Sequence, residues 1–220
     1  MTATATATAV DRRVDAVLRQ AASLLLGYPD AGLYEALPLV RRALEDLPGG
    51  DPARDLLALT RHLEETDPMD AGAHYVHTFD MRRRRALHLT FYTDGDTRRR
   101  GHALARLKEV YGAHGWELDA RELPDHLAVV LEFAARGDAA TGSALLRQFQ
   151  PGIELLRAAL HTHGTPYAAV PDAVCATLPP PGEEERAAVE RLAMAGPPAE
   201  DVGLDAYGSP VDLGMPGGRR

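Results

Sequence analysis

The sequence predicts an all-α fold, a single-domain bundle of about eight to ten helices joined by short loops. Three observations carry this. Apolar residues recur at three- and four-residue steps along most of the chain, as they do on one face of a helix. Alanine and leucine dominate while aromatic residues make up only 5 %, a balance that favours helices over an aromatic-rich sandwich or barrel. No stretch alternates strand and helix patterns in the way that builds a parallel sheet. At 220 residues the chain can bury roughly 70 % of its unfolded surface in one core.

Residues 1–9 are expected to form a disordered N-terminus, because the Thr-Ala repeat from Thr2 to Ala9 offers no large side chain to bury. Residues 10–178 are the expected helical domain. Val14, Val17, Leu18, Ala21, Leu24 and Leu25 place a first amphipathic helix over 11–26, which Gly27 ends and Pro29 keeps from restarting. Leu33, Leu37, Val40 and Leu44 trace a second, with Pro38 inside it as a point of kinking. Asp51-Pro52 and Asp67-Pro68 each read as a cap followed by proline at the first helical position, opening helices that run to about Glu65 and to Phe79.

The alternation of Leu87, Leu89 and Phe91 is strand-like, but a lone strand has no partner, so a short helix is expected there. Ala103, Leu104, Leu107, Val110 and Tyr111 mark a helix closed by Gly112 or Gly115. Leu123-Pro124-Asp125 is expected to open the next, and Gly137 to stop it. Runs over 140–149, 153–160 and 167–178 complete the bundle, the first two divided by Pro151-Gly152. Residues 179–220 contain seven Pro and seven Gly among 42 positions. Such a segment buries too little to offset its ordering entropy, so a largely disordered tail is expected, with Glu183–Ala195 as a short surface helix.

Composition removes several function classes. A single cysteine, Cys175, forms no internal disulfide and no cysteine-based metal site, which fits a reducing cytoplasm. Net charge of −8 opposes general nucleic-acid binding. No stretch approaches the roughly 20 apolar residues of a membrane span, and Arg12-Arg13 reads as a solvated helix face rather than an export signal.

His74/His77 and His161/His163 are close pairs, yet neither has a third ligand at metal spacing, so no metal site and no cofactor are expected. Asp94-Gly95-Asp96 resembles a calcium loop only superficially, since Arg99 and Ala105 stand where glycine and glutamate are required. No nucleophile elbow, phosphate loop or dinucleotide fingerprint occurs, and no catalytic residue is expected. The arginine runs Arg82–Arg85 and Arg98–Arg100 flank the apolar strip 87–92. They read either as solvated helix ends or as the rim of a groove for an amphipathic peptide. Glu122-Leu123-Pro124-Asp125-His126 is a good helix opening whose density of ionisable groups also marks a candidate site.

Four ordered motifs resemble the NarJ family of nitrate reductase assembly chaperones, within the wider all-helical group of redox-enzyme maturation chaperones. They are Leu24-Leu25-Leu26-Gly27-Tyr28-Pro29-Asp30, Asp67-Pro68-Met69-Asp70-Ala71 leading into Tyr75-Val76-His77-Thr78-Phe79-Asp80, the stretch Gly95 to Ala103, and Glu122 to Leu127. The resemblance runs from about residue 14 to 176. It implies a cytoplasmic, non-catalytic helper that binds the N-terminal segment of the molybdenum-containing catalytic subunit and holds it open until the cofactor is installed. That helper delays docking to the membrane subunit and then leaves.

Carried over residue by residue, the resemblance assigns client-peptide binding to Glu122, Pro124, Asp125 and His126. By analogy Tyr75, Phe79, Leu87 and Tyr92 line the groove, with Arg85 at its edge. A monomer is the expected state, with a dimer as the alternative. Another molybdoenzyme as client, or a helical metal- or cofactor-binding protein, are the alternative functions. Protonation of His126 is expected to alter affinity between about pH 6 and 8.

Overall fold

The structure is a computed structural model; it describes the backbone of residues 2–119 and 122–195 and the side chains of residues 11–119 and 122–194. Among the described residues it contains eleven α-helices, two short 3-10 turns and no strand. In chain order these are α1 (Thr2–Leu25), α2 (Ala31–Glu45), α3 (Asp51–Glu65), α4 (Pro68–Phe79), α5 (Leu89–Asp94) and α6 (Arg98–Ala113). They continue with α7 (Leu127–Arg136), α8 (Ala139–Gln148), α9 (Gln150–His163), α10 (Ala169–Ala176) and α11 (Glu183–Ala195). The 3-10 turns are Arg83–Arg85 and Pro166–Ala168. The count exceeds the expected range by one, α11 being the surface helix of the tail.

Helix α1 is the central strut. Leu18, Ala21, Ala22 and Leu25 are buried on it, and α7, α2, α10 and α3 pack around it. Arg19, which interrupts the apolar pattern, is buried rather than solvated. Its guanidinium donates to Ser143 Oγ at 2.9 Å and to Thr177 Oγ1 and the Thr177 carbonyl, each at 3.0 Å. Those bonds tie α1 to α8 and to the end of α10. Ser23 Oγ donates to the Ala128 carbonyl at 2.7 Å and fixes α1 against the first turn of α7.

Several boundaries move from their sequence positions. Helix α1 begins at Thr2 rather than Asp11: no glycine or proline interrupts the Thr-Ala repeat, and apolar spacing is blind to a helical stretch without large side chains. The backbone of residues 2–9, expected to be part of a disordered N-terminus, is helical, while residues 196–220 of the expected tail lie outside the described residues. Gly50, not Asp51, caps α3. Asp67 does cap α4, its carboxylate accepting from the Met69 N–H at 2.9 Å. Pro38 sits within α2, which continues through it. Pro151 and Gly152 lie in the first turn of α9, where a missing N–H costs nothing, so α8 and α9 nearly abut.

Two corrections bear on the site. Helix α7 starts at Leu127, not at Leu123, so Pro124 and Asp125 belong to the turn before it and His126 is its cap. The strip from Leu87 divides between the two readings of its pattern. His88 is extended and pairs with His126 in an isolated antiparallel bridge, while α5 begins at Leu89. The bridge is made by Leu89 N–H to the Asp125 carbonyl at 2.9 Å and Leu127 N–H to the Leu87 carbonyl at 2.8 Å. The partner that a lone strand lacked is the loop before α7.

No described helix is long and apolar enough to cross a membrane.

Candidate functional site

The loop before α7 and the turn before α5 form one buried polar knot, with Asp125 at its centre and no solvent exposure. Its carboxylate accepts the Thr90 N–H at 3.3 Å and the Thr90 hydroxyl through a short hydrogen bond, and lies 3.3 Å from His88 Nδ1 and 3.5 Å from Arg100. The Thr90 hydroxyl in turn accepts from Arg100 Nε at 3.2 Å. Burial alone would raise this carboxyl; the His88 and Thr90 hydrogen bonds and the nearby His88 and Arg100 charges outweigh it and hold the group below the ordinary carboxylate range. Pro124 is buried beside it, its carbonyl accepting from the Tyr111 hydroxyl at 2.8 Å. Asp125 and Pro124 are thus buried within the loop, where they fix its shape.

His126 caps α7, its Nδ1 accepting the Ala128 N–H at 3.3 Å, and its ring meets His88 edge-on at 5.3 Å. Burial, joined by the His88 charge and only partly opposed by Asp125, lowers its pKa to about 4. This lowering runs against the expected titration of His126 between pH 6 and 8, since a largely desolvated ring that accepts the Ala128 N–H favours its neutral form.

Above the knot lies a groove of about 630 Å³ bounded by the end of α1, the start of α2, Tyr75 of α4, and the loop and first turns of α7. Its floor is apolar, with Leu26, Leu33, Tyr75 and Val129, and its edge carries the carboxylates of Asp30, Glu122 and Glu132. Tyr75 is held in place by its hydroxyl, which donates to the Leu26 carbonyl at 2.9 Å, and by ring contacts with Tyr28 at 5.5 Å and Phe79 at 4.9 Å. A smaller cavity of about 280 Å³ adjoins it under Phe79, Leu87, Arg82 and Arg83 and shares Tyr75, His88 and His126 with it.

Of the residues expected to bind a client peptide, the structure brings Glu122, His126, Tyr75, Phe79 and Leu87 to these two adjoining cavities. Tyr92 and Arg85 belong elsewhere. Tyr92 is buried with its hydroxyl toward the Arg84 and Ala86 carbonyls at 3.1 and 3.0 Å. Arg85 donates to the Thr78 and His77 carbonyls at 2.5 and 3.0 Å, closing the C-terminal end of α4. Leu87, Leu89, Phe91 and Tyr92 are all buried, so the strip between the arginine runs is core and not an exposed groove floor.

The two histidine pairs meet across α4 and α9, with His77 and His163 rings 5.2 Å apart, and His74 Nε2 lies 3.0 Å from Thr165 Oγ1. Among the described residues no group of three or more His, Cys, Asp or Glu is placed to hold a metal ion.

Sequence reasoning passed over the residues that face the groove most openly. Tyr28 is half-exposed and Leu123 is 41 % exposed, both large apolar surfaces at its mouth. Their signal was present in the motifs that contain them, but nothing in one dimension shows that residues 28 and 123 share an opening.

The profile of the nitrate reductase delta subunit family matches residues 47–170. The chain belongs to that family. Among curated relatives of the family, the nitrate reductase molybdenum cofactor assembly chaperone NarJ of Escherichia coli is 37 % identical over 153 residues, covering 68 % of this chain and 64 % of its own. The nitrate reductase-like protein NarX of Mycobacterium tuberculosis is 40 % identical over 162 residues, 73 % of this chain but 24 % of its own length. The chain thus spans about a quarter of NarX and less than two thirds of E. coli NarJ. A redox enzyme maturation protein from Archaeoglobus fulgidus superposes with a TM-score of 0.53 at 19 % identity, over 81 % of this chain and 93 % of its own, and shares the all-helical fold.

Proposed function

We propose that this chain is an assembly chaperone for a nitrate reductase, a cytoplasmic and non-catalytic helper that binds the N-terminal segment of the apo catalytic subunit. It supports insertion of the molybdenum cofactor, delays membrane docking until assembly is complete, and is not part of the final enzyme. Support comes from the family and from the names of the relatives matched above. The single observation that carries the binding mode is the groove beside the Glu122–His126 loop, where half-exposed Tyr28 and Leu123 stand over an apolar floor with a carboxylate edge.

This arrangement suits a helix laid in a groove, with apolar anchors at helical spacing against the floor and basic side chains toward Asp30, Glu122 and Glu132. The edge of the larger cavity is acidic, while Arg82 and Arg83 line the smaller cavity that adjoins it. Affinity near the micromolar level, about −8 kcal/mol, allows release when the client folds. The test is calorimetric titration with a synthetic peptide of the catalytic subunit's N-terminus from the same genome. Binding that weakens about tenfold in the Tyr28→Ala/Leu123→Ala variant is expected, a loss of about 1.4 kcal/mol. Equal affinity of the two proteins, or no binding to the native chain, overturns the proposed mode.

A further inference from the structure

A third opening, of about 530 Å³, runs along the Arg83–Arg85 turn. Its floor is the exposed-side surface of α9, with Leu155, Ala158 and Ala159, and Leu192 and Ala193 of α11 form one wall. Arg82, Arg83, Arg84 and Arg85 stand along it. Arg83 pairs with Asp96 at 3.1 Å and Arg85 is spent on the end of α4. Among the described residues, the Arg82 and Arg84 guanidinium groups have neither a carboxylate partner nor a hydrogen bond. Two uncompensated cations beside an apolar floor call for an occupant that combines carboxylates with apolar side chains.

We propose that this slot is the docking site of the chain's own segment 197–215. The position of α11 delivers it there: Leu192 and Ala193 already wall the slot, and α11 ends at Ala195. The composition of the segment is complementary. Glu200, Asp201, Asp205 and Asp212 carry four negative charges, and no basic residue occurs between 196 and 218. Val202, Leu204, Tyr207, Val211 and Leu213 are interleaved with them. Because the segment follows α11 directly, its effective concentration at the slot is of millimolar order, so contacts too weak to hold a free peptide suffice.

The family profile matches residues 47–170, so α11 and the segment lie outside the matched residues. Docking of the segment does not depend on whether the groove binds a client. Where it does, the two sites are linked, since Arg82 and Arg83 also line the smaller cavity beside His88 and His126.

Arginine modification by phenylglyoxal, read residue by residue by mass spectrometry on the full chain, tests this. The comparison is with Glu200→Gln/Asp201→Asn/Asp205→Asn/Asp212→Asn, which alters nothing in the helical body. Arg82 and Arg84 are expected to react several-fold more slowly in the native chain, while Arg106, exposed on α6, reacts equally in both. Added peptide 197–215 should restore slow reaction in the variant. Equal rates at Arg82 and Arg84 overturn the proposal. Slow reaction that persists in the variant and disappears on dilution assigns the slot to a second copy and overturns it as well.

Discussion

Arg100 reaches Asp125 from the first turn of α6, placing a guanidinium nitrogen 3.5 Å from a carboxylate with no exposed surface. The pair joins segments 25 residues apart in sequence, and Thr90 lies between them, donating to Asp125 and accepting from Arg100. Removing the carboxylate leaves Thr90 and His88 without this acceptor and deprives Arg100 of its buried carboxylate partner. Asp125→Ala is expected to lower the stability by roughly 3 kcal/mol or more, read by urea unfolding followed by circular dichroism. A loss of client binding in this variant then reports a damaged loop. A variant as stable as the native chain contradicts the structural role assigned here.

Stability should fall as the solution is acidified from neutrality. His126 titrates near 4 when folded against 6.5 as its ordinary value, so between those pH values the unfolded chain binds a proton that the native chain refuses. The state that binds more protons gains as pH falls, and the full loss from this group is roughly 3 kcal/mol. Asp125 acts below that window: its depressed pKa contributes stability above the ordinary carboxylate range, lost as pH falls through the folded value. Urea unfolding at a series of pH values from 7 to 4.5 measures the first effect, and a flat profile contradicts the buried, neutral His126. Client affinity, for the same reason, should show no His126 step between pH 6 and 8.

Two glycines separate groove from core. At Gly142 an added Cβ would lie 2.3 Å from Ala134 Cα, so α7 and α8 would have to part. Gly142→Ala is expected to cost roughly 1–3 kcal/mol as measured by thermal unfolding. At Gly72 the obstacle is the Tyr28 hydroxyl at 2.7 Å, the far end of a half-exposed side chain that can swing aside. Gly72→Ala should therefore leave the melting temperature nearly unchanged and alter client-peptide affinity by moving Tyr28. Equal destabilisation of the two variants contradicts this distinction.

The hydroxyl of Tyr75 offers a smaller and more selective probe. Its bond to the Leu26 carbonyl closes the end of α1 over the groove. Tyr75→Phe keeps the ring stack and loses that bond, with an expected cost of about 1 kcal/mol, measurable as a shift in the urea midpoint at unchanged slope.

The helices were legible because their signals are local. Leu33, Leu37, Val40 and Leu44 recur at helical spacing and are all buried on α2, and Asp67 and Gly137 stand at the ends of α4 and α7 as their chemistry requires. The surface helix Glu183–Ala195 follows its local pattern too, whereas the short helix in the strip 87–92 is expected only because a lone strand lacks a partner. The site was legible only as a set of segments. Glu122 to His126 stood out by charge, yet its members part in depth: Asp125 is sealed beneath the loop and Glu122 is at the groove edge.

What the sequence by itself determined is the set of helices, the family to which they belong and the loop on which the candidate site is built. Periodicity, caps and motif order are properties of neighbours along the chain, and they need no knowledge of what lies across the core. Only the tertiary structure decided which side chains are available. It turned Arg19 inward to bond α8 and α10, and it gave the strip at Leu87 its pairing partner at Asp125–Leu127. It also divided the arginine run between a slot against α9 and the smaller cavity beside His126, and left carboxylates at the edge of the larger groove. Burial and charge pairing depend on residues distant in sequence, and a neutral His126 follows from the packing around it as much as from its identity.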